Sequence, residues 1–320
     1  MILKNSAWQF ETTGNPDVLQ PVDIAMPEVL PGQVLLRVLA SGFNPIDTKI
    51  RAGLAPIAAD NHVPGCDLCG EVIDVGARVT QFVVGDLVYG CAGGVKGSSG
   101  TLCRYMAADA ELLALAPASI RPEEAAALPL VSITAFDALE RLNVTAGDEL
   151  LIMGGTGGVG QMAVQLAKLK GANVTATAGS DVGMGFIEIL GAEGIRHADV
   201  VNVQGGFNKV LDTHGGESFQ AALLAAGPSA QVATINARNN YDLAQAHAKA
   251  LTIHAVFMLL PLLTGTGRKA HGEFLAWLSK EVDSDRVRVP FVEELTSADV
   301  ADVHRRYECG ELKHKVVFKL

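Results

Sequence analysis

The run ELLIMGGTGGVGQMAVQLAKLKGANVTATAGS, residues 149–180, decides how this chain is read. Its first five residues are mostly Leu and Ile, which suits a buried strand. Then comes Gly155-Thr156-Gly157-Gly158-Val159-Gly160, a G-x-G-x-x-G match that opens an amphipathic helix over 158–170. A second strand is predicted at 173–178. The glycine pattern alone is a weak signal. A strand before it, a helix opening on it and a second strand within about 30 residues together make a dinucleotide-binding unit. Gly155 is expected to allow the tight turn, Gly157 to let backbone approach a pyrophosphate, and Gly160 to let helix and strand pack closely. The helix start offers free N–H groups and the positive end of its dipole to phosphates. Thr156, Gly158 and Val159 belong to the same expected coenzyme loop.

The end of the second strand bears on which coenzyme is used. An NAD binder usually places an acid there, about 20 residues after the glycines. Here the strand ends Ala178-Gly179-Ser180, and Asp181 comes late enough to be read as a cap of the next helix. Without an acid at the tip, nothing repels a 2′-phosphate, so NADPH is the preferred coenzyme and NADH the alternative. No Lys or Arg lies between Gly171 and Gly191 to pair with that phosphate. Ser180 is read either as a contact to the adenosine ribose or its 2′-phosphate, or as a helix N-cap.

Outward from this unit, strands and helices alternate from about 148 to 258, with further strands at 209–213, 231–235 and 251–258 and a helix at 218–226. That alternation argues for an α/β fold with a parallel, doubly wound sheet. The preceding part differs. Runs at 34–40, 70–76 and 84–90 are β-branched or alternating, and Gly or Pro recurs every 8–15 residues, as in an all-β barrel or sandwich. Residues 121–142 read as one helix with Pro122 in its first turn. The tail reads as a helix at 268–280, a strand at 286–293, a helix from about 297 and a last strand at 314–320. It is expected to pack back on the first domain. The boundaries follow as 1–122, 123–264 and 265–320.

Composition narrows the function classes. Of 320 residues, 49% are hydrophobic and 19% charged, which excludes a disordered chain. The net charge of −10 argues against a nucleic-acid partner, since no excess of cations is present to neutralise phosphates. Five cysteines are too few for a disulfide scaffold, and their odd number suits a reducing compartment. MILKNSAWQF has no secretory apolar core. The most apolar stretch, 251–265, falls short of the ~20 residues a membrane helix needs. It is read as a buried strand running into a turn, with an exposed interface patch as the alternative. A cytoplasmic protein with no membrane partner is expected.

Taken together, SGFNPIDTKIRAG (41–53), VPGCDLCGEVIDVG (63–76), FVVGDLVYG (82–90), EEAAALPLVSITAFDAL (123–139), the glycine loop and KVLDTHGG (209–216) resemble the medium-chain dehydrogenase/reductase superfamily. Within it, the chain is similar to the zinc-independent quinone oxidoreductase and enone or alkenal reductase branch. The resemblance implies a Rossmann domain inserted in a GroES-like β-barrel domain, with the active site in the cleft. It also implies a homodimer built through the Rossmann domains. The implied activity is NAD(P)H-dependent hydride transfer to a quinone or an α,β-unsaturated carbonyl. Two other readings stay open: a zinc-dependent alcohol dehydrogenase, and a coenzyme-binding protein with little turnover.

Zinc alcohol dehydrogenases of the superfamily carry Cys where Asn44 stands, His where Cys66 stands, and Cys where Leu130 aligns. Only Cys66 remains, with Asp67 beside it, and a catalytic zinc needs three protein ligands. No metal is therefore expected. Cys66-x-x-Cys69 with Cys91 and Cys103 is read as core cysteine rather than a four-sulfur site, because Cys91 and Cys103 lack a paired knuckle.

Without a metal, the protein must orient the nicotinamide and stabilise negative charge on the acceptor oxygen. Lys49, in N-P-I-D-T-K, is the candidate for that charge. It is read alternatively as holding the nicotinamide ribose or carboxamide, or as a surface lysine. Asn44 resembles the family asparagine near nicotinamide or substrate, or is simply the turn residue before Pro45. Asp47 is expected to hydrogen-bond the turn. Many quinone oxidoreductases have tyrosines where Lys49 and Ala55 stand here, which favours an alkenal or enone over a quinone. Thr134 resembles the threonine near the coenzyme phosphates or ribose. His214, Ile235 and Asn236 lie at strand ends where a coenzyme passes, and His214 is not read as a catalytic base. Phe257 and Met258 are expected to end the last strand and line the nicotinamide pocket, or else to be plain core.

Overall fold

In the computed structural model, which describes residues 4–203 and 205–320, the N-terminal part is built from short β-branched runs punctuated by glycine. β1 (Asn5–Phe10) and β2 (Leu19–Ile24) pair antiparallel as a ribbon. β3 (Gln33–Gly42) buries Val34, Leu36, Val38 and Ala40 on one face, the alternation that a half-buried strand requires. It leads into α1 (Pro45–Arg51), where Pro45 takes the first helical position and its missing N–H leaves no bond unmade. Then follow β4 (Asp67–Val75), β5 (Leu87–Cys91), β6 (Tyr105–Asp109) and β7 (Leu113–Leu115).

The expected single helix over 121–142 is two, α2 (Pro122–Ala126) and α3 (Pro129–Arg141). Pro129 supplies no N–H and disfavours helical backbone in the residue before it, so the chain breaks there. α2 packs against β3 so closely that a β-carbon at Gly42 would lie 2.2 Å from the Ala126 carbonyl oxygen. This contact keeps α2 with the first unit, which comprises the residues up to Leu130 together with Leu259–Leu320. The second unit is Val131–Met258, so the chain divides at 130/131 and 258/259 rather than at 122/123 and 264/265.

The second unit contains β8 (Glu149–Met153), α4 (Gly158–Leu169), β9 (Asn173–Ala178), α5 (Asp181–Ile189), β10 (Glu193–Arg196), β11 (Phe207–Asp212), α6 (Glu217–Ala225), β12 (Ala226–Thr234), α7 (Ala244–Ala248) and β13 (Thr252–Ala255). Its strands run parallel in the order β10-β9-β8-β11-β12-β13. Strand order reverses between β8 and β11, the topological switch point of a Rossmann fold. Leu150, Leu151, Ile152, Val210 and Val232 are completely buried, as expected of strands covered on both faces. β13 departs from the expectation. It ends at Ala255, and as the edge strand it leaves Ile253 exposed, so the apolar run 251–265 is an edge strand and a short helix rather than a buried strand.

The chain returns through α8 (Leu260–Thr264), α9 (Arg268–Asp283), β14 (Val292–Thr296), α10 (Val300–Glu308) and β15 (Lys315–Lys319). β14 lies several residues later than 286–293. The sheet of this unit runs β14-β15-β3-β4-β5-β7, with β6 also on β3. β3 thus forks. Residues 33–37 pair with β6, and residues 40–42 pair with β15. β14 and β15 are parallel while the other pairs are antiparallel, which makes this GroES-like sheet mixed.

Candidate functional site

The β8–α4 turn has the glycine packing that a dinucleotide loop calls for, with one change from the expected division of labour. The left-handed residue is Gly154, φ +83°, just ahead of the named motif. Its N–H donates to Thr177 Oγ1 at 2.8 Å, and a β-carbon on it would strike His214. Gly155 is required for packing instead, since a β-carbon there would lie 2.7 Å from Ala176 Cβ. Gly160 plays the expected part, with its β-carbon position 2.0 Å from Gly154 O. At Gly157, the N-cap of α4, the nearest atom would be 3.5 Å away, so its missing side chain leaves space. Gly158 rests on Val131, at the start of α3, where Thr134 is also buried. Thr156 and Val159 complete the loop. Backbone donors at a helix start beside open space suit a pyrophosphate.

The other strand tips gather around this turn. Asp212, fully buried, accepts from Thr234 Oγ1 at 2.7 Å and from Gly215 N at 2.8 Å, which ties the β11 and β12 tips together. Asn236, just past Ile235 and the end of β12, donates to His214 O at 2.7 Å. The His214 ring meets His197 edge to face, with centroids 6.2 Å apart. His197 in turn bonds Thr177 Oγ1 at 2.7 Å, and burial lowers its pKa, with His214 adding to the effect. The His214 backbone N–H donates to Asp212 Oδ1 at 3.2 Å.

Ser180 is the N-cap of α5, its Oγ accepting from Gly183 N at 3.1 Å, so the cap is Ser180 and not Asp181. Asp181 instead pairs with Arg196, whose Nη2 lies 2.6 Å from Asp181 Oδ1 and whose Nη1 donates to Gly179 O at 2.9 Å. Sequence reasoning missed this arginine because it searched the segment next to the β9 tip. The register of the parallel sheet puts Arg196 directly beside Ala178. Phe257 and Met258 lie beyond β13, the first half-exposed and the second buried.

In the first unit, Asn44 precedes α1 and is completely buried. Its N–H donates to Asp47 Oδ2 at 2.8 Å, the capping role expected of Asp47. Its side chain is engaged on both ends. Nδ2 donates to Asp67 Oδ2 at 2.8 Å, and Oδ1 accepts from Lys315 Nζ at 2.6 Å. Burial pushes the Asp47 carboxyl up to about 7 and also raises Asp67, against the pull of Lys315. The Cys66 thiol is raised by its bond to Cys91 and by burial. Lys49 stands on α1, half-buried, with its carbonyl accepting from Ala55 N at 3.0 Å.

These residues do not fit a catalytic zinc. Asn44 is locked by a lysine, and Leu130 has no metal-ligating side chain, its backbone N–H being given to Asp67 at 2.9 Å. Among the described residues, no group of three His, Cys, Asp or Glu is arranged to hold a metal ion. Cys66, Cys69, Cys91 and Cys103 are free and buried, while Cys309 is exposed. Among the described residues, no helix is long and apolar enough to cross a membrane.

Residues 30–118 match the alcohol dehydrogenase GroES-like domain, and residues 158–272 match the zinc-binding dehydrogenase domain. An NADPH-dependent alkenal/one oxidoreductase of Arabidopsis thaliana is 38% identical over 58% of this chain and 50% of its own length. A quinone-oxidoreductase homolog of Spinacia oleracea is 37% identical over 56% of each chain. The chain thus spans about half the length of these curated relatives in the matched region. A crystal structure of an alcohol dehydrogenase superfamily protein from Novosphingobium aromaticivorans is 34% identical, with a TM-score of 0.89 over 99% of this chain and all of that one. With both domains matched and the fold shared end to end, this chain is an oxidoreductase of the medium-chain dehydrogenase/reductase superfamily.

Proposed function

We propose that this protein is a metal-independent, NADPH-dependent reductase of α,β-unsaturated carbonyls, with quinones as the alternative acceptors. The observation that carries the reading is the β8–α4 turn, where space is left at Gly157, the N-cap of α4, and Gly160 packs directly on the Gly154 backbone. The relatives named for alkenal/one and quinone reduction support the acceptor class. The absence of tyrosines at Lys49 and Ala55 favours the enone or alkenal.

Bound at that turn, the reduced nicotinamide coenzyme supplies the hydride. The α4 N-terminus holds the pyrophosphate. Arg196, at the tip of β10, offers the cation that a 2′-phosphate needs, which supports NADPH over NADH. Lys49 places a positive charge for the acceptor oxygen, where negative charge grows as hydride arrives at carbon. Asn44 holds the start of α1, and with it Lys49. The partners are small molecules, and a reducing compartment such as the cytoplasm suits five free cysteines. The exposed edge of β13 supports a homodimer through the second unit, since an unpaired strand edge pairs readily with a copy of itself.

The test is loss of reduced-nicotinamide absorbance with chelator-treated protein, NADPH or NADH, and a panel of alkenals, enones and quinones. Turnover of an enone with NADPH is expected. Activity that appears only on adding zinc overturns metal independence. Tight coenzyme binding with no turnover on any acceptor favours a binding protein.

A further inference from the structure

The buried polar atoms around Asn44 converge on a single cation. Lys315, 7% exposed, donates to Asn44 Oδ1 and to Phe43 O at 2.7 Å, and its Nζ lies 3.6 Å from Asp67 Oδ2. Asp67 also accepts from Asn44 Nδ2 and Leu130 N, while Asp47 accepts from Asn44 N and from Cys66 Sγ at 3.6 Å. Asn44, Asp47, Cys66, Asp67 and the Leu130 N–H therefore enter one network, and the positive charge in it is an ammonium on β15. Burying a lysine with two carboxylates is costly and is repaid only by near-complete hydrogen bonding, which this network has. A well-packed apolar cluster would stabilise the fold as well. What the polar one adds is a fixed direction for each bond.

We infer that Lys315 is a positioning residue, a buried cation that locks Asn44 and the start of α1. The lock needs no reductase activity. Its importance for hydride transfer rests on the proposed function, through Lys49 on α1.

The test compares hydrogen exchange in the wild-type protein with that in Lys315→Met combined with Asp67→Asn, a pair that removes the cation together with the carboxylate beside it and leaves Asp47, whose carboxyl burial already raises to about 7. Amides over 43–51 are expected to exchange about tenfold or more faster, the scale of losing one or two buried hydrogen bonds. Protection of β8 and β11 and the NADP⁺ affinity should stay within about twofold. Lys315→Arg should restore most of the protection. Should the double variant not fold, Asn44→Ala keeps the Lys315–Asp67 pair and removes only the clamp, and the same acceleration at 45–51 is expected. Unchanged protection there overturns the inference. So does wild-type protein that takes up one equivalent of Co²⁺ with a thiolate absorption lost in Cys66→Ser. Faster exchange in a protein with no enone turnover would leave the lock standing and remove the reductase reading.

Discussion

A β-carbon on Gly160 would lie 2.0 Å from the carbonyl oxygen of Gly154, so helix α4 touches the β8 turn backbone to backbone. Neither partner is a flexible side chain that can swing aside. Gly160→Ala must therefore push the helix from the strand, at a cost on the order of 2–4 kcal/mol. A lower melting temperature and weaker coenzyme binding are expected together. Gly157→Ala is the control. Its nearest neighbour would be 3.5 Å away, so the fold should hold while the added methyl occupies the coenzyme's space. Calorimetric titration with NADP⁺ beside a thermal melt separates the two.

Arg196 pairs with Asp181, and a 2′-phosphate would compete for the same guanidinium. Arg196→Gln should weaken NADPH binding about tenfold or more and leave NADH nearly unchanged, since the proposed charge-assisted bond to the 2′-phosphate is the coenzyme contact removed. Asp181→Ala should act the other way and tighten NADPH. Titration with 2′,5′-ADP reads the effect without turnover, and equal losses for both coenzymes would refute the assignment.

If Lys49 stabilises charge on the acceptor oxygen, Lys49→Met should lower kcat by about 10²-fold with the NADPH dissociation constant unchanged. Lys49→Arg should recover part of the rate. A variant that loses coenzyme affinity and keeps kcat would instead assign Lys49 to the ribose or carboxamide.

His304 on α10 is fully buried between Phe43 and Arg51, and burial holds its pKa down at about 3, with Arg51 adding to the shift. The unfolded chain takes up this proton near pH 6.5. The unfolded state therefore binds more protons between these values, and stability falls as pH drops from about 6.5 toward 3. Asp47 acts with the opposite sign. Its carboxyl, raised to about 7 by burial, favours the folded state as pH falls from 7 to about 4. Comparing His304→Leu with wild type by denaturant melts from pH 4 to 8 cancels the Asp47 contribution. The variant should lose less stability toward acid, by a few kcal/mol at the low end. Parallel curves would show that the imidazole is not held neutral.

Much of the fold was legible because its determinants are local. A Leu and Ile strand, a glycine turn and an amphipathic helix sit within one 30-residue window, and their periodicities are set by backbone geometry. Pro129 was equally local, yet the apolar run around it concealed the helix break. β13 was misread as buried because hydrophobicity does not reveal which strand lies at a sheet edge. Asn44 was legible as a site residue, but its engagement on both sides by Lys315 and Asp67 was not.

By itself the sequence determined the glycine loop and the α/β class, since each depends on residue chemistry or short-range spacing, and the resemblance to the family implied the altered zinc-ligand positions. Tertiary structure alone decided that Arg196 stands beside Ala178 and that Lys315 reaches Asn44 across 271 residues of chain. Those partners are chosen by which strands become neighbours, β10 beside β9 for the first pair and β15 beside β3 for the second. That choice is made by packing over the whole core and leaves no mark in any local pattern.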